Sequence, residues 1–434
     1  MKIISICVIY FVLLGTGIAA QEATRPYTLA DLNRWYKEVP SSENAATHFL
    51  QGTAVMKITD ADWHSTNLPW PGHGAPPQLG KPLPSGMAES IGELLERNRQ
   101  VLPYFGQGAR CKESRYPLDA TQGAGVLLMY LRDLKQASMM LSLFELSHAN
   151  AGEGDKSAEA LIIHCGLIQS LEAEPLLISQ EVRVDCVVHI GRSLEQAVNR
   201  VRFSPQNLEG IQSHLKQLEE QEASGFGFTR GLVGYHVLTA SLFELTGQKV
   251  IELLSDGPDR LTANEKSTLV AEAYPRAADK QFADQMFAQV TTAWKEIYPK
   301  RLKAVGDICA AREAKAAKNN YSIGALDSRE IVKALKIEAL GLTWWRVART
   351  AVALEQFRTA HAEHYPETLS ELFPLYLNAV PIDPFDGRVL SYRKAGRGYV
   401  LWAGEAKSNA KLPGKTVENQ ITFQVVTPPP ASPK

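Results

Sequence analysis

The sequence is poor in cysteine, has no excess of charge of either sign, and contains only one long apolar run. Five cysteines in 434 residues are too few for a disulfide-built scaffold, so a hydrophobic core must supply most of the stability. Lysine and arginine (46) balance aspartate and glutamate (47), which leaves no extensive basic surface for nucleic-acid phosphates. The composition therefore excludes a small disulfide-rich protein and disfavours a nucleic-acid partner.

The long apolar run lies at the N-terminus. Lys2 precedes the run, which extends from Ile3 to Leu14, and the small residues Ala19 and Ala20 follow before the chain becomes polar. This order is typical of a secretory signal peptide over residues 1–20. The run is shorter than the about 20 apolar residues of a membrane helix, although an uncleaved anchor is the alternative. We expect an exported protein, periplasmic or extracellular, with no stable membrane span after signal removal.

The next segment, residues 21–86, has an irregular pattern. Short helices are predicted around Leu29–Tyr36 and Asn44–Val55. A stretch rich in proline and glycine follows, and such a density of helix breakers is incompatible with a regular element. We expect this stretch to lie extended over the body or to act as a linker.

Residues 87–325 carry apolar residues at helical spacing almost throughout. Ser204 followed by Pro205 predicts one helix start, and Thr262 with Glu265 three residues later predicts another. The motif SLFEL occurs at residues 142–146 and 241–245, but a single echo does not establish a solenoid of regular repeats. We therefore predict an irregular antiparallel helical array.

Residues 326–426 predict a small α+β module. A helix from about Ser328 ends near Tyr365, and three short runs rich in β-branched and aromatic residues follow: RVLSYRK, GYVLWAG and NQITFQVV. The predicted fold class is therefore mainly α, an irregular antiparallel helical array followed by a module in which a long helix packs on a short antiparallel sheet. The proline-rich tail, residues 427–434, is predicted to be disordered.

Residues 345–426 resemble the globular domain of the major pseudopilins of bacterial type II secretion systems. The residues that carry the resemblance are ARTAVALEQFRTAHAEHYPETLSEL, PLYLNAVPIDPFDGRVLSYR and GYVLWAG. Pseudopilins polymerise through an apolar N-terminal helix, whereas the helix here carries Arg346 and Arg349. The loop at the family's calcium site offers only Glu405 and Glu418 as acidic ligands. The resemblance implies a shared small fold, without pilus assembly or calcium binding.

The layout of the whole chain also resembles a group of exported bacterial helical proteins. The shared features are the signal, the stretch YTLADLNRWYKEVPSSENAA near the start, the helical middle and the pseudopilin-like end. That group supplies no activity for transfer to this chain.

Two cysteines and a histidine form the first candidate for chemistry. Cys186 and His189 share a helix face, and Cys165 lies on the preceding predicted helix. Zinc requires four ligands, and the fourth would have to be His164 or Asp185, neither of which points the same way as its neighbouring cysteine. A Cys165–Cys186 disulfide is a second alternative in an oxidising compartment. Buried free thiols are the favoured interpretation.

Two further patterns have ordinary structural interpretations. His361 and His364 lie near a helix end, where they favour capping of the last carbonyls over a metal pair. The glycine-rich residues 223–234 lack the strand and G-x-S-x-G order of a nucleophile elbow and the Lys-Ser/Thr ending of a phosphate loop. This stretch predicts a flexible turn between helices.

Acidic residues complete the candidates. Glu172, Glu174 and Glu181 could supply an acid–base pair, but an ordinary helix surface provides such residues freely. The sequence therefore assigns no catalytic, cofactor-binding or metal-binding residue. It favours an exported, non-enzymatic binding or scaffold protein of the bacterial envelope that contacts a protein or another envelope component. The alternatives are an exported hydrolase with residues assembled from distant helices, or an accessory of the secretion apparatus.

Overall fold

A computed structural model describes residues 28–254, 261–404 and 421–426. Helices dominate these residues and one three-stranded antiparallel sheet lies near their C-terminal end, which confirms the predicted mainly α fold class. The predicted signal peptide, the loop with Glu405 and Glu418, and the predicted disordered tail lie outside the described residues. None of the helices described is both long enough and apolar enough to cross a membrane.

The N-terminal part contains short helices around a proline- and glycine-rich stretch. Residues 65–84 contain no helix, and Leu68 and Leu83 within them are buried against the following helices. The carbonyl of Pro77 accepts a hydrogen bond from Gln196 (3.1 Å), so the stretch lies over the body of the protein. The helices are α1 (Leu29–Trp35), α2 (Ala45–Ala54), α3 (Asp60–His64), α4 (Ser85–Arg97) and α5 (Val101–Arg110).

The middle of the chain is an array of helices. Both predicted start signals are confirmed: Ser204 accepts a hydrogen bond from the backbone N–H of Asn207, and Thr262 forms a capping box with Glu265. After a 3-10 turn (Ala120–Gly125), the helices are α6 (Met129–Asn150), α7 (Gly154–Ser170), α8 (Leu177–Val198), α9 (Pro205–Ser224), α10 (Phe226–Leu242), α11 (Gly247–Leu254), α12 (Ala263–Leu269), α13 (Arg276–Ala293) and α14 (Lys300–Asn319).

A single long helix, α15 (Ser322–Ala360), connects the array to the sheet. It begins six residues before the predicted start at Ser328. Its residues 331–342 share a core cluster with α13 and α14, and its residues 344–357 share another with α8, α9 and the sheet. The largest core cluster contains residues of α7, α8, α9, α15 and the sheet. The predicted boundary at residue 326 therefore lies inside a helix, and the array and the terminal module share one core.

The sheet packs one face on α15, as predicted. Its strands β1 (Ser391–Ala395), β2 (Gly398–Ala403) and β3 (Ile421–Val425) are ordered β1-β2-β3. Tyr399, Leu401 and Phe423 are buried in the core next to α15. The edge of β3 that faces away from β2 is also hydrogen-bonded, because the N–H of Gln424 donates to Glu195 of α8 (2.7 Å). The small sheet is therefore fixed to both α15 and α8.

The two copies of a repeated motif have different structures, and the glycine-rich stretch differs from the predicted turn. The SLFEL motif at residues 142–146 lies within α6, whereas residues 241–245 span the end of α10 and the turn after it. The glycine-rich stretch is mostly helical: only Gly225, with φ of 72°, separates α9 from α10. Glycine adopts this left-handed conformation without the steric cost of a side chain.

Gly234 of α10 lets this helix lie directly against the backbone of Pro175. A Cβ atom there would lie 1.6 Å from the carbonyl oxygen of Pro175, whereas Gly92 in α4 has open space around it. We expect Gly234→Ala to lower the free energy of unfolding by about 1–3 kcal/mol because of the clash. Gly92→Ala should raise it by about 0.5–1 kcal/mol, since alanine is the better helix former. Urea denaturation followed by circular dichroism measures both, and equal effects would contradict the close approach.

Candidate functional site

A buried polar network joins α6, α7 and α8. The hydroxyl oxygen of Ser138 lies 2.7 Å from Nε2 of His164 and 3.0 Å from Nδ1 of His189. Nδ1 of His164 lies 2.9 Å from one carboxyl oxygen of Glu145, and the Ser193 hydroxyl donates to the other. Five side chains from three helices therefore form one continuous chain of hydrogen bonds.

Helical spacing explains how this network assembles. Ser138 and Glu145 lie seven residues apart on α6, and His189 and Ser193 lie four apart on α8, so each pair occupies one face of its helix. His164 lies on α7 and contacts both Ser138 and Glu145 of α6. The three helices pack against one another, which brings their polar positions to a shared interface.

Burial governs the charge state of the network. Loss of solvent raises the pKa of Glu145 well above its ordinary value and lowers the pKa of His164 to about 3 and that of His189 to about 4. All three groups therefore favour their uncharged forms, and the Glu145–His164 contact is a hydrogen bond between neutral groups rather than an ion pair. With Glu145 protonated, each group can donate to the next along the chain towards His189.

The Ser138–His164–Glu145 spacing matches that of a serine nucleophile, its base and an orienting carboxylate. All three side chains, however, are fully buried, and Ser138 lies in the interior of α6. None of them lines the open surface depression beside α2. A substrate has no route to the hydroxyl in this conformation. The network therefore acts as a polar contact between helices.

The cysteines considered for zinc or a disulfide lie beside this network. Cys165 and Cys186 are both buried, burial raises the pKa of both thiols, and all four described cysteines are free. No Cys165–Cys186 bridge is therefore formed in this structure. Within residues 28–254, 261–404 and 421–426, no cluster of three or more histidine, cysteine or acidic side chains is arranged to hold a metal ion.

The two histidines near the end of α15 follow the capping interpretation. His361 is the C-cap residue, its Nδ1 lies 2.9 Å from the carbonyl oxygen of Phe357, and its ring stacks on that of Phe357. Nδ1 of His364 lies 3.3 Å from the carbonyl oxygen of His361. The nearby Glu363 pairs with Arg202 (2.6 Å). These groups are engaged in closing the helix end.

Two of the three glutamates considered as an acid–base pair, Glu174 and Glu181, have separate structural contacts. Glu174 accepts hydrogen bonds from Tyr36 (2.7 Å), Tyr130 (2.9 Å) and Ser179 (2.9 Å). Glu181 pairs with Lys333 (2.7 Å) on α15. Burial raises the pKa of both Glu172 and Glu174. Their structural contacts account for Glu174 and Glu181 without an acid–base pair.

The second candidate site is an open groove of about 870 Å³, which we call the α2 groove. One face of α2 forms one wall, and a non-helical segment, residues 115–119, forms part of the other. Asn44 holds the two together, because its side chain accepts from the N–H of Arg115 (2.8 Å) and donates to the carbonyl of Arg115 (2.9 Å). The residues that line the groove include Glu38, Val39, Leu50, Ala54, Arg115, Leu118, Asp119, Val126 and Leu127.

The α2 groove combines apolar side chains, of which Leu50 and Val126 are half-buried and Leu127 is exposed, with unpaired backbone groups. Leu50, Val126 and Leu127 line it, and Leu127 is 77% exposed. The backbone N–H groups of Leu118 and Asp119 make no hydrogen bond within the described part of the chain. Such a surface can accept both apolar side chains and a polypeptide backbone.

Sequence reasoning singled out His164 and His189 only as possible zinc ligands, and it missed the other members of the network and the α2 groove. Ser138 and Glu145 carry a signal, since they are polar residues seven positions apart on a helix with many buried apolar residues. The α2 groove has no local signal, because its walls come from segments about 60 residues apart.

No protein-family model, characterised protein or solved structure gives a significant match to this chain. Its own residues and their contacts are therefore the basis for the functional proposals.

His189 makes the stability of the fold depend on pH. It faces His164 on α7, Lys135 on α6 and Asp185 on its own helix, and burial depresses its pKa from 6.5 to about 4. Between these values the unfolded chain binds a proton that the native state does not, so stability falls as the pH is lowered through this range. We expect wild type to lose about 2 kcal/mol more than His189→Gln between pH 7 and pH 4.5.

Urea denaturation at the two pH values measures this difference. His64→Gln, a change at an exposed histidine, serves as the control and should keep the wild-type dependence. A His189→Gln variant with the same dependence as wild type would sink the assignment.

Proposed function

We propose that this chain is an exported, non-enzymatic binding protein of the bacterial envelope, and that its partner docks in the α2 groove. The observation that supports binding is the groove itself, an open depression of about 870 Å³ with apolar side chains in its lining. Export is supported by the order of charged, apolar and small residues at the N-terminus.

The partner offers an extended polypeptide segment. The N–H groups of Leu118 and Asp119 make no hydrogen bond within the described part of the chain, and successive N–H groups of an extended segment point to opposite sides, so one of the two can donate to a backbone that runs beside residues 115–119. Alternate side chains of an extended segment point to opposite sides, so every second one can contact Leu50, Val126 and Leu127. This mode of recognition uses both properties of the groove.

The alternatives have weaker support. The Ser138–His164–Glu145 spacing favours a hydrolase, but that hydroxyl is fully buried, whereas the α2 groove is open. An accessory role in secretion rests on the resemblance of residues 345–426 to pseudopilins. The packing of α15 on β2 and β3 is compatible with such a module.

A peptide-display library presented to the purified protein tests the groove. Ala54→Arg places a long charged side chain in the groove, at an exposed position where arginine is a good helix former. Peptides enriched on wild type should bind this variant at least tenfold more weakly because the groove is occupied. Fluorescence anisotropy measures the affinities.

The matched control is Ala314→Arg, which alters an exposed alanine of α14 outside the groove. It should leave the affinities unchanged. An absence of enriched peptides, or equal binding to Ala54→Arg and wild type, would refute docking in the α2 groove.

Processing of the N-terminus tests export. In a bacterial host we expect a mature chain that begins near Gln21 in the periplasmic or extracellular fraction, identified by N-terminal sequencing. Leu13→Arg interrupts the apolar run and should leave the chain unprocessed. Full-length wild-type protein held in the membrane fraction would instead indicate an anchor.

A further inference from the structure

Arg115 is a largely buried cation at the wall of the α2 groove. Its side chain is 12% exposed, and its guanidinium lies over the ring of Tyr36 at 4.5 Å. Its ion-pair partner within the described residues is Glu38, at 2.8 Å from one terminal nitrogen. Glu38 is 84% exposed and also lines the groove. The pair therefore joins a fixed cation to an anion that is mostly in solvent.

The hydrogen-bonding capacity of Arg115 is mostly unused. A guanidinium carries five N–H donors, and the pair with Glu38 involves one terminal nitrogen, while Nε is buried without a hydrogen-bond partner and lies out of reach of a ligand. The remaining terminal N–H groups are the donors that a ligand would use. An ion pair with a highly exposed partner contributes little and is easily exchanged, since solvent competes for the carboxylate. Arginine binds carboxylates best when two N–H groups contact both oxygens. A better-placed carboxylate in the groove would therefore displace Glu38.

We propose that Arg115 binds an acidic side chain of the docked segment, and that Glu38 is a displaceable internal substitute for it. This inference rests on the proposed binding function of the α2 groove. The residues around Glu38 also indicate which sequence the groove binds. Glu38 is followed by Val39, and both residues line the groove. The partner segment thus carries a glutamate or aspartate next to an apolar residue, in extended conformation.

The charges in the groove favour a single carboxylate. Exchange of Glu38 for one ligand carboxylate leaves the net charge around Arg115 unchanged, whereas a phosphate would add further negative charge. The other acidic group in the lining, Asp119, is engaged with the backbone and hydroxyl of Thr121 and with Asn33. Asp119 does not compete for Arg115, but it disfavours a doubly charged ligand.

A pair of labelled peptides tests the inference. The probes copy residues 36–41, YKEVPS, and the same peptide with glutamine in place of glutamate, YKQVPS. Glu38→Gln removes the internal competitor at an exposed position, so this variant should bind YKEVPS at least tenfold more tightly than wild type does. It should also prefer YKEVPS over YKQVPS, and the preference should weaken with salt. Glu89→Gln, at an exposed glutamate outside the groove, should behave as wild type.

Arg115→Gln, added to Glu38→Gln, should abolish the preference for the acidic peptide. If this double variant does not fold, the comparison of the two peptides on Glu38→Gln decides alone. Equal binding of both peptides that is still blocked by Ala54→Arg would overturn the role of Arg115 and leave groove docking intact. If neither peptide binds Glu38→Gln, the carboxylate assignment is overturned. Docking in the α2 groove is tested independently by the peptide library.

Discussion

Carboxylates buried between helices constrain how this chain packs. Glu338 of α15 accepts hydrogen bonds from Tyr298 (2.6 Å) and Arg301 (3.0 Å), and Glu222 of α9 pairs with Arg183 of α8 (2.8 Å). A buried carboxylate without partners is costly, so each helix must meet its neighbour at the one register that supplies them. Apolar side chains alone tolerate alternative packings of similar volume. In this fold, the polar contacts select among those packings.

The same constraint accounts for the core cluster that the sheet shares with the helical array. Glu195 of α8 accepts from the backbone of Gln424 in β3, and the Glu145–His164–Ser138 contacts connect α6, α7 and α8. The sheet, the array and α15 are therefore linked by buried hydrogen bonds in addition to apolar contacts. This linkage explains why the terminal residues, despite a local pattern typical of a separate module, are continuous with the helical array.

The α2 groove departs from this rule. Glu338 and Glu195 accept hydrogen bonds in the interior, whereas Arg115 is a largely buried cation whose ion-pair partner, Glu38, lies mostly in solvent. Leu127 in the same groove is also exposed although it is apolar. Exposed apolar side chains and ion pairs with a solvent-exposed partner lower stability locally, and proteins accept such costs at functional sites. The exposed apolar side chain of Leu127 and the solvent-exposed partner of Arg115 lie in the same groove, which is why we propose this surface as the place for a partner.

Local signals in the sequence determined much of the fold. Ser204 with Pro205, and Thr262 with Glu265, specified helix starts because a cap bonds to backbone groups within three residues. The three strand runs were specified by alternation and composition. Tertiary structure alone decided the Ser138–His164–Glu145 network and the pairing of Glu38 with Arg115, since these partners lie 19 to 77 residues apart. Sequence periodicity identifies the face on which a side chain lies, but only packing of the whole chain determines which other face it meets.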